Sequence, residues 1–267
     1  MLFGGVFYPI LEKAHQNPAL AEQLELTCPL PLAYTEDGDY VLPLHAAVAD
    51  RLLHMLSREK PELLLGLFCT LANALSPYVN RRTTMDRTPE ARLAARLFSA
   101  EHITRPLLGS HADDFYVQTR EAWQWNSRYW EHRALLTQAT NIDTAVQFAR
   151  HAVAIEAHPY PWTTLASLLV RKMEASSFGL DLLFSEIDDL LTQVFKQEAA
   201  RGWRPTPHPY SALFHAAEVF LGKAGRIPPK KQDWIVQQIE YCQRAFSRDT
   251  KLNSVGQRLI EKLGKAK

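Results

Sequence analysis

Cysteine is scarce in this chain. It has three, Cys28, Cys69 and Cys242, far apart and with no C-x-x-C. That excludes a disulfide framework and paired-thiol metal sites, and scattered thiols of odd number suit a reducing cytoplasm. Charge of one sign is lacking too. Lys plus Arg total 30 against 29 for Asp plus Glu, a formal net charge of +1, so the basic excess of a dedicated nucleic-acid binder is missing. No apolar run is long enough for a membrane: the strongest, Leu63–Leu75, has 13 residues where a span needs about 20. The opening MLFGGVFYPILEK lacks the basic region and small-residue cleavage site of a secretory signal. No G-x-x-x-x-G-K-[ST] occurs, and the nearest look-alike, Gly222-Lys223-Ala224-Gly225, has no Ser or Thr after its lysine. H-E-x-x-H, a nucleophile elbow and paired catalytic carboxylates are likewise missing. We expect no cofactor, no metal, no nucleic acid and no membrane partner.

What is present is a helix-forming chain, 46% hydrophobic and 22% charged, which suits a buried core. Val6–His15 reads as a first helix. Asn17-Pro18 starts a second, to about Leu26. Between them and the remainder, Leu30–Thr35 and Tyr40–Leu44 flank Glu36-Asp37-Gly38-Asp39. Asp-Gly between two strand-like runs signals a hairpin, because the tight turn needs positive φ. We expect this to be the only β element, closing a winged-helix-like segment. Its acidic tip would repel phosphate.

Helices follow: 44–56, 61–77 and 91–100, the last capped by Thr88-Pro89-Glu90. Residues 78–87 read as a polar connector. Ser110-His111-Ala112-Asp113 matches a capping box for a helix to about Gln124. Beyond it the spacing predicts helical hairpins. Tyr129–Gln138 pairs with Asp143–Ile155 across the break Thr140-Asn141, Trp162–Met173 with Asp181–Arg201, and Pro209–Leu221 with Lys230–Phe246. Ile187, Leu190, Leu191, Val194 and Phe195 form one apolar stripe, which leaves Asp188-Asp189 on the solvent side. His158-Pro159-Tyr160 recurs fifty residues on as His208-Pro209-Tyr210, each marking a new hairpin. The expected fold is all-α: a helical-hairpin solenoid with a small N-terminal winged-helix-like segment containing one β-hairpin. Its expected domains are 1–56, a helical connector 57–110, and repeats 111–267.

The segment Asn126–Leu169 resembles tetratricopeptide (TPR) repeats. Its first helix is rich in aromatics, its second carries alanines at 145, 149 and 152, and it closes on Ala154-Ile155-Glu156-Ala157-His158-Pro159. The full W-x-x-L-G-x-x-Y signature is absent, since Arg133 and Ala134 follow Trp130. A longer series is similar to the C-terminal half of bacterial STAND-type NTPase proteins: Pro43-Leu44-His45-x-x-Val48-Ala49, Tyr78-Val79-Asn80-Arg81, Asn126-Ser127-Arg128-Tyr129-Trp130-Glu131, Ala152-Val153-x-x-Glu156-x-His158-Pro159 and His208-Pro209-Tyr210. That resemblance implies a winged helix followed by repeats that sense a trigger, often in defence against phage. It also implies a motor lost or supplied by another polypeptide.

Stacked hairpins present extended surfaces for binding. The expected function is therefore a non-catalytic protein–protein interaction or sensor module with no catalytic residue. Its partner would be a protein or peptide, such as a separate NTPase or nuclease subunit. The candidate contact residues are Trp123, Trp125, Tyr129, Trp130, Tyr160, Trp162, Trp203 and Tyr210, which supply large area at low entropy cost. Arg128, Arg133 and Arg150 would meet acidic groups, and His158 and His208 stand at the hairpin corners. Two other readings stay open. One is a structural remnant of a larger STAND protein. The other is a metal-independent ribonuclease like the HEPN enzymes, with His111 as acid or base and Arg105 stabilising charge. Against it, Pro106 replaces the polar residue that usually follows the arginine, and Arg128 and His132 are too close in sequence to serve instead.

Overall fold

The computed structural model describes residues 6–7, 32–34, 40–43, 46–202 and 205–265. Among the described residues, three short strands precede a run of helices. They are β1 (Val6–Phe7), β2 (Leu32–Tyr34) and β3 (Tyr40–Pro43), in the order β1-β3-β2. β2 lies antiparallel to β3 with Leu32 opposite Pro43 and Tyr34 opposite Val41, and β1 pairs with the other edge through Val6 and Val41. Residues 6–7 are thus strand where the sequence predicts the start of a helix, and β1 is a β element beyond the expected hairpin. The helix expected at 17–26 and the turn at 36–39 lie outside the described residues, so a winged helix is not shown.

The chain divides into two compact units, Met1–Thr137 and Gln138–Lys267. The expected boundary at 110/111 falls inside the first. The division itself falls within the segment that the sequence pairs as one hairpin.

The first unit contains α1 (Ala46–Glu59), α2 (Pro61–Leu75), α3 (Arg81–Met85), α4 (Pro89–Leu97), α5 (Arg105–Leu108), α6 (Ala112–Trp123) and α7 (Ser127–Thr137). Pro61 opens α2, where its missing N–H costs nothing. α2 is the central element and packs against α1, α4 and α6. The expected polar connector at 78–87 instead holds α3. Asn80 caps it, accepting from the Thr83 backbone at 3.1 Å, while Thr83 returns a bond to the Asn80 N–H at 2.8 Å. That reciprocal pair is a capping box. The one expected at Ser110/Asp113 does not form: α6 has no side-chain cap, and Asp113 pairs with Arg133 instead.

The second unit contains α8 (Ile142–Ile155), α9 (Pro159–Ala175), α10 (Leu180–Arg201), α11 (Pro207–Ala224), α12 (Pro229–Ala245) and α13 (Thr250–Lys265). Asn141 caps α8, accepting from the Thr144 N–H at 3.0 Å. Proline opens α9, α11 and α12, and Gly225 ends α11 in the left-handed conformation with φ 80°. Each helix packs on the next, and α9, α11 and α13 also pack on one another in turn. That is the arrangement of stacked helical hairpins. Ile187, Leu191 and Val194 of α10 are fully buried, as the stripe predicts, whereas Leu190 and Phe195 sit at its margins. Ion pairs link helices two apart: Arg150 of α8 to Glu186 of α10 at 2.8 Å, Lys231 of α12 to Asp188 of α10 at 2.6 Å, and Lys262 of α13 to Glu218 of α11 at 2.8 Å. Asp188 is therefore not on the open solvent side with Asp189. Among the described residues, no helix is long and apolar enough to cross a membrane.

Candidate functional site

The aromatic cluster that the sequence offers as a contact surface lies largely inside the first unit. Phe98 is its centre, with ring centroids 4.8 Å from Trp123, 5.2 Å from Phe115 and 5.5 Å from Tyr129. Trp123, Tyr129 and Trp130 are buried, and Trp125 is half-buried against Trp123. Their polar tips meet the backbone. Trp123 Nε1 donates to the Ala72 carbonyl at 3.1 Å, Trp125 Nε1 to Ala122 at 3.0 Å and Trp130 Nε1 to Gln124 at 2.8 Å. The Tyr129 hydroxyl donates to the Tyr116 carbonyl, and burial pushes its pKa up to about 12. A buried Trp or Tyr needs such a partner, and here the fold supplies it.

Two arginines stand beside the Trp130 ring. The guanidinium of Arg120 lies 5.7 Å from its ring centroid and that of Arg133 6.0 Å, both within cation–π range. Arg133 is buried and pairs with Asp113 at 3.3 Å, and Arg128 meets Glu131 at 3.8 Å. In the second unit Arg150 holds Glu186 through both carboxylate oxygens, at 2.8 and 2.9 Å. All three arginines expected to meet a partner's acidic groups thus already meet carboxylates of this chain.

His158 and His208 are not equivalent. His158 is the cap of α9, its Nδ1 accepting from the Tyr160 N–H at 3.5 Å, with the two rings stacked 5.2 Å apart. His208 falls inside the first turn of α11, one residue after the proline that opens it, and is exposed. The repeated His-Pro-Tyr therefore sits in two different helix registers. Tyr160 keeps 52% of its surface open and Trp162 is half-buried, while Tyr210 is buried against Phe195, Tyr241 and Phe246. Burial raises the Tyr210 phenol well above its ordinary range. Trp203 lies outside the described residues.

The two groups of the ribonuclease reading are engaged in local structure. Arg105 Nη2 donates to the carbonyls of Leu135 and Leu136 at 3.0 Å each, satisfying the C-terminal end of α7. His111 Nδ1 lies 3.3 Å from Asp114 Oδ2. Among the described residues, no group of three or more His, Cys, Asp and Glu could hold a metal ion.

Two features carry little signal in the sequence. His132 of α7 has a buried Nδ1 with no hydrogen-bond partner, and burial, then Arg128 and His102, lower its pKa to about 3. It is a neutral imidazole at neutral pH. The second is at the start of α10, where Leu182 of the helix and Phe178 just before it leave 79% and 89% of their surfaces open. The buried stripe of α10 implies an opposite face at the same period, so Leu182 was findable as a leucine on the wrong side.

No protein-family model, no curated protein and no solved structure matches this chain.

Proposed function

We propose that this chain is a non-catalytic interaction or sensor module whose second unit presents a helical-hairpin surface to a protein partner. The observation that carries this reading is the packing of α8 to α13, each helix on the next, with α9, α11 and α13 also joined in sequence. Such stacking extends a surface without closing it. The resemblance to STAND-type proteins supplies the kind of partner: a polypeptide carrying an NTPase or nuclease, in a bacterial defence complex of the cytoplasm. In that reading the paired strands β2 and β3 belong to a winged-helix-like segment. The burial of Trp123, Tyr129 and Trp130 argues against them as contact residues and supports looking for the surface on the second unit.

Affinity purification of the tagged chain from its native cells tests this. The proposal expects one protein at fixed stoichiometry that survives nuclease treatment. Recovery of the chain alone, or of nucleic acid with it, contradicts the proposal.

A further inference from the structure

The helices α3 and α4 make a tight corner of the first unit that carries its charge as arginine. Residues Asn80 to Leu97 hold Arg81, Arg82, Arg87, Arg92 and Arg96, with no lysine and only two acids, Asp86 and Glu90. All five arginines are exposed. Arg82 meets Asp86 at 3.7 Å with 91% of its side chain open, and the other four have no ion pair among the described residues. α3 packs on α4, and the Thr88 N–H donates to the Thr83 carbonyl at 3.1 Å across the turn. At 1.5 Å per helical residue, this keeps the backbone of all five within roughly 25 Å.

Two of these arginines sit where they oppose folding. Arg87 has φ 53°, and the other positive-φ residues among those described are glycines. Its N–H donates to the Thr84 carbonyl at 3.3 Å, which with the Thr88 bond completes the Schellman end of α3. Glycine fills that left-handed position without strain, and arginine does not. Arg96 follows Arg92 by one turn on the exposed side of α4, where like charges repel. Met85, at the end of α3, leaves 81% of its surface open. A glycine at 87 and a neutral residue at 96 would make a more stable corner. Strain held at an exposed side chain with no internal partner points to a role outside the fold.

We propose that this arginine corner binds a short acidic segment, rich in Asp or Glu, of a partner protein. Guanidinium groups take carboxylates through two N–H donors at once. Met85 adds adaptable apolar contact, which suits the side chains of a peptide. A nucleic acid is drawn instead by net positive charge over a long stretch. The first unit lacks it, with 13 Lys and Arg against 16 Asp and Glu. The corner is a contact surface beyond the stacked hairpins of the second unit, and it does not use them.

The test uses the full chain and three labelled probes of equal length, followed by fluorescence anisotropy: a glutamate-rich peptide, the same peptide with glutamine for glutamate, and a single-stranded RNA. The glutamate peptide should bind roughly tenfold or more tighter than the glutamine peptide, and tighter than the RNA. Arg92→Glu with Arg96→Glu should abolish that preference. Arg87→Gly separates a binding role from a structural one. It should raise the thermal midpoint, because the left-handed position is relieved, and weaken the glutamate peptide severalfold. Equal binding of the two peptides, tighter binding of the RNA, or glutamate-peptide binding unmoved by these substitutions overturns the proposal. If a partner recovered from cells still binds the chain carrying all three substitutions at full affinity, the arginine corner is wrong while the interaction module of the second unit stands.

Discussion

Trp130 shows why an aromatic-rich helix need not be a binding surface. Its ring is 4% exposed, flanked by Arg120 and Arg133, and its indole N–H is satisfied by Gln124. Trp130→Ala removes a packed side chain and should lower the stability of the first unit by about 3–5 kcal/mol, measured by urea unfolding. Loss of partner binding with unchanged stability would return Trp130 to the surface. Cys69 and Cys242 are buried, and burial raises both thiols to about 11. The thiolate is the reactive form. In a Cys28→Ser background both should therefore react with a thiol reagent at pH 8 far more slowly than free cysteine, and at the ordinary rate only in denaturant. His132 gives the pH dependence. Its folded pKa of about 3 lies below the ordinary 6.5, so the unfolded chain binds a proton that the folded chain refuses. Stability from this group is present above about pH 6.5 and lost as pH falls toward 3. His132→Gln should remove up to about 1.4 kcal/mol per pH unit from the slope of stability in that window. An unchanged slope would show that the imidazole is already hydrated.

At the scale of elements, the sequence was most legible where local chemistry is strong. Pro61, Pro89, Pro159 and Asn141 mark helix starts that the fold uses, because a first-turn proline or a capping side chain acts without tertiary help. Ser110 did not cap, because it lies inside a short 3-10 turn, Gly109–His111, that leaves His111 at the cap position, while Asp113 pairs with Arg133, twenty residues away in sequence. Val6–Phe7 became a strand because β3 offers an unpaired edge, which no periodicity in β1 itself announces. Helix packing was not legible at Gly256 of α13. A Cβ there would stand 2.8 Å from Ile239 Cγ2 of α12. Gly256→Ala should destabilise by about 1–3 kcal/mol despite the better helix propensity of alanine, and Ile239→Leu, which removes that branch, should recover part of the loss. Gly66 of α2 has nothing within 4 Å, so Gly66→Ala should stabilise by about 0.5–1 kcal/mol. Thermal unfolding of the two variants checks both signs.

For the whole molecule, the helical-repeat character of the second unit could be read from the stripe of α10 and the alanines of α8, since periodicity records which face is buried. The contact surface could not. Trp123, Tyr129 and Trp130 look alike in sequence whether they anchor a partner or fill a core, and only the carbonyls of Ala72, Tyr116 and Gln124 decide it. Leu182 hides the other way, as one leucine among many that turns out to face water. The two compact units then divide the labour that the sequence assigned to one surface: an aromatic core in the first, and stacked helices with an open face in the second. The mass of the native particle that contains this chain tests the proposed interaction module most directly. Mass measurement of the tagged chain released gently from its own cells should give a complex well above 30.4 kDa with a second polypeptide in fixed ratio. A particle of that single-chain mass, or a larger one built only of copies of this chain, would contradict it.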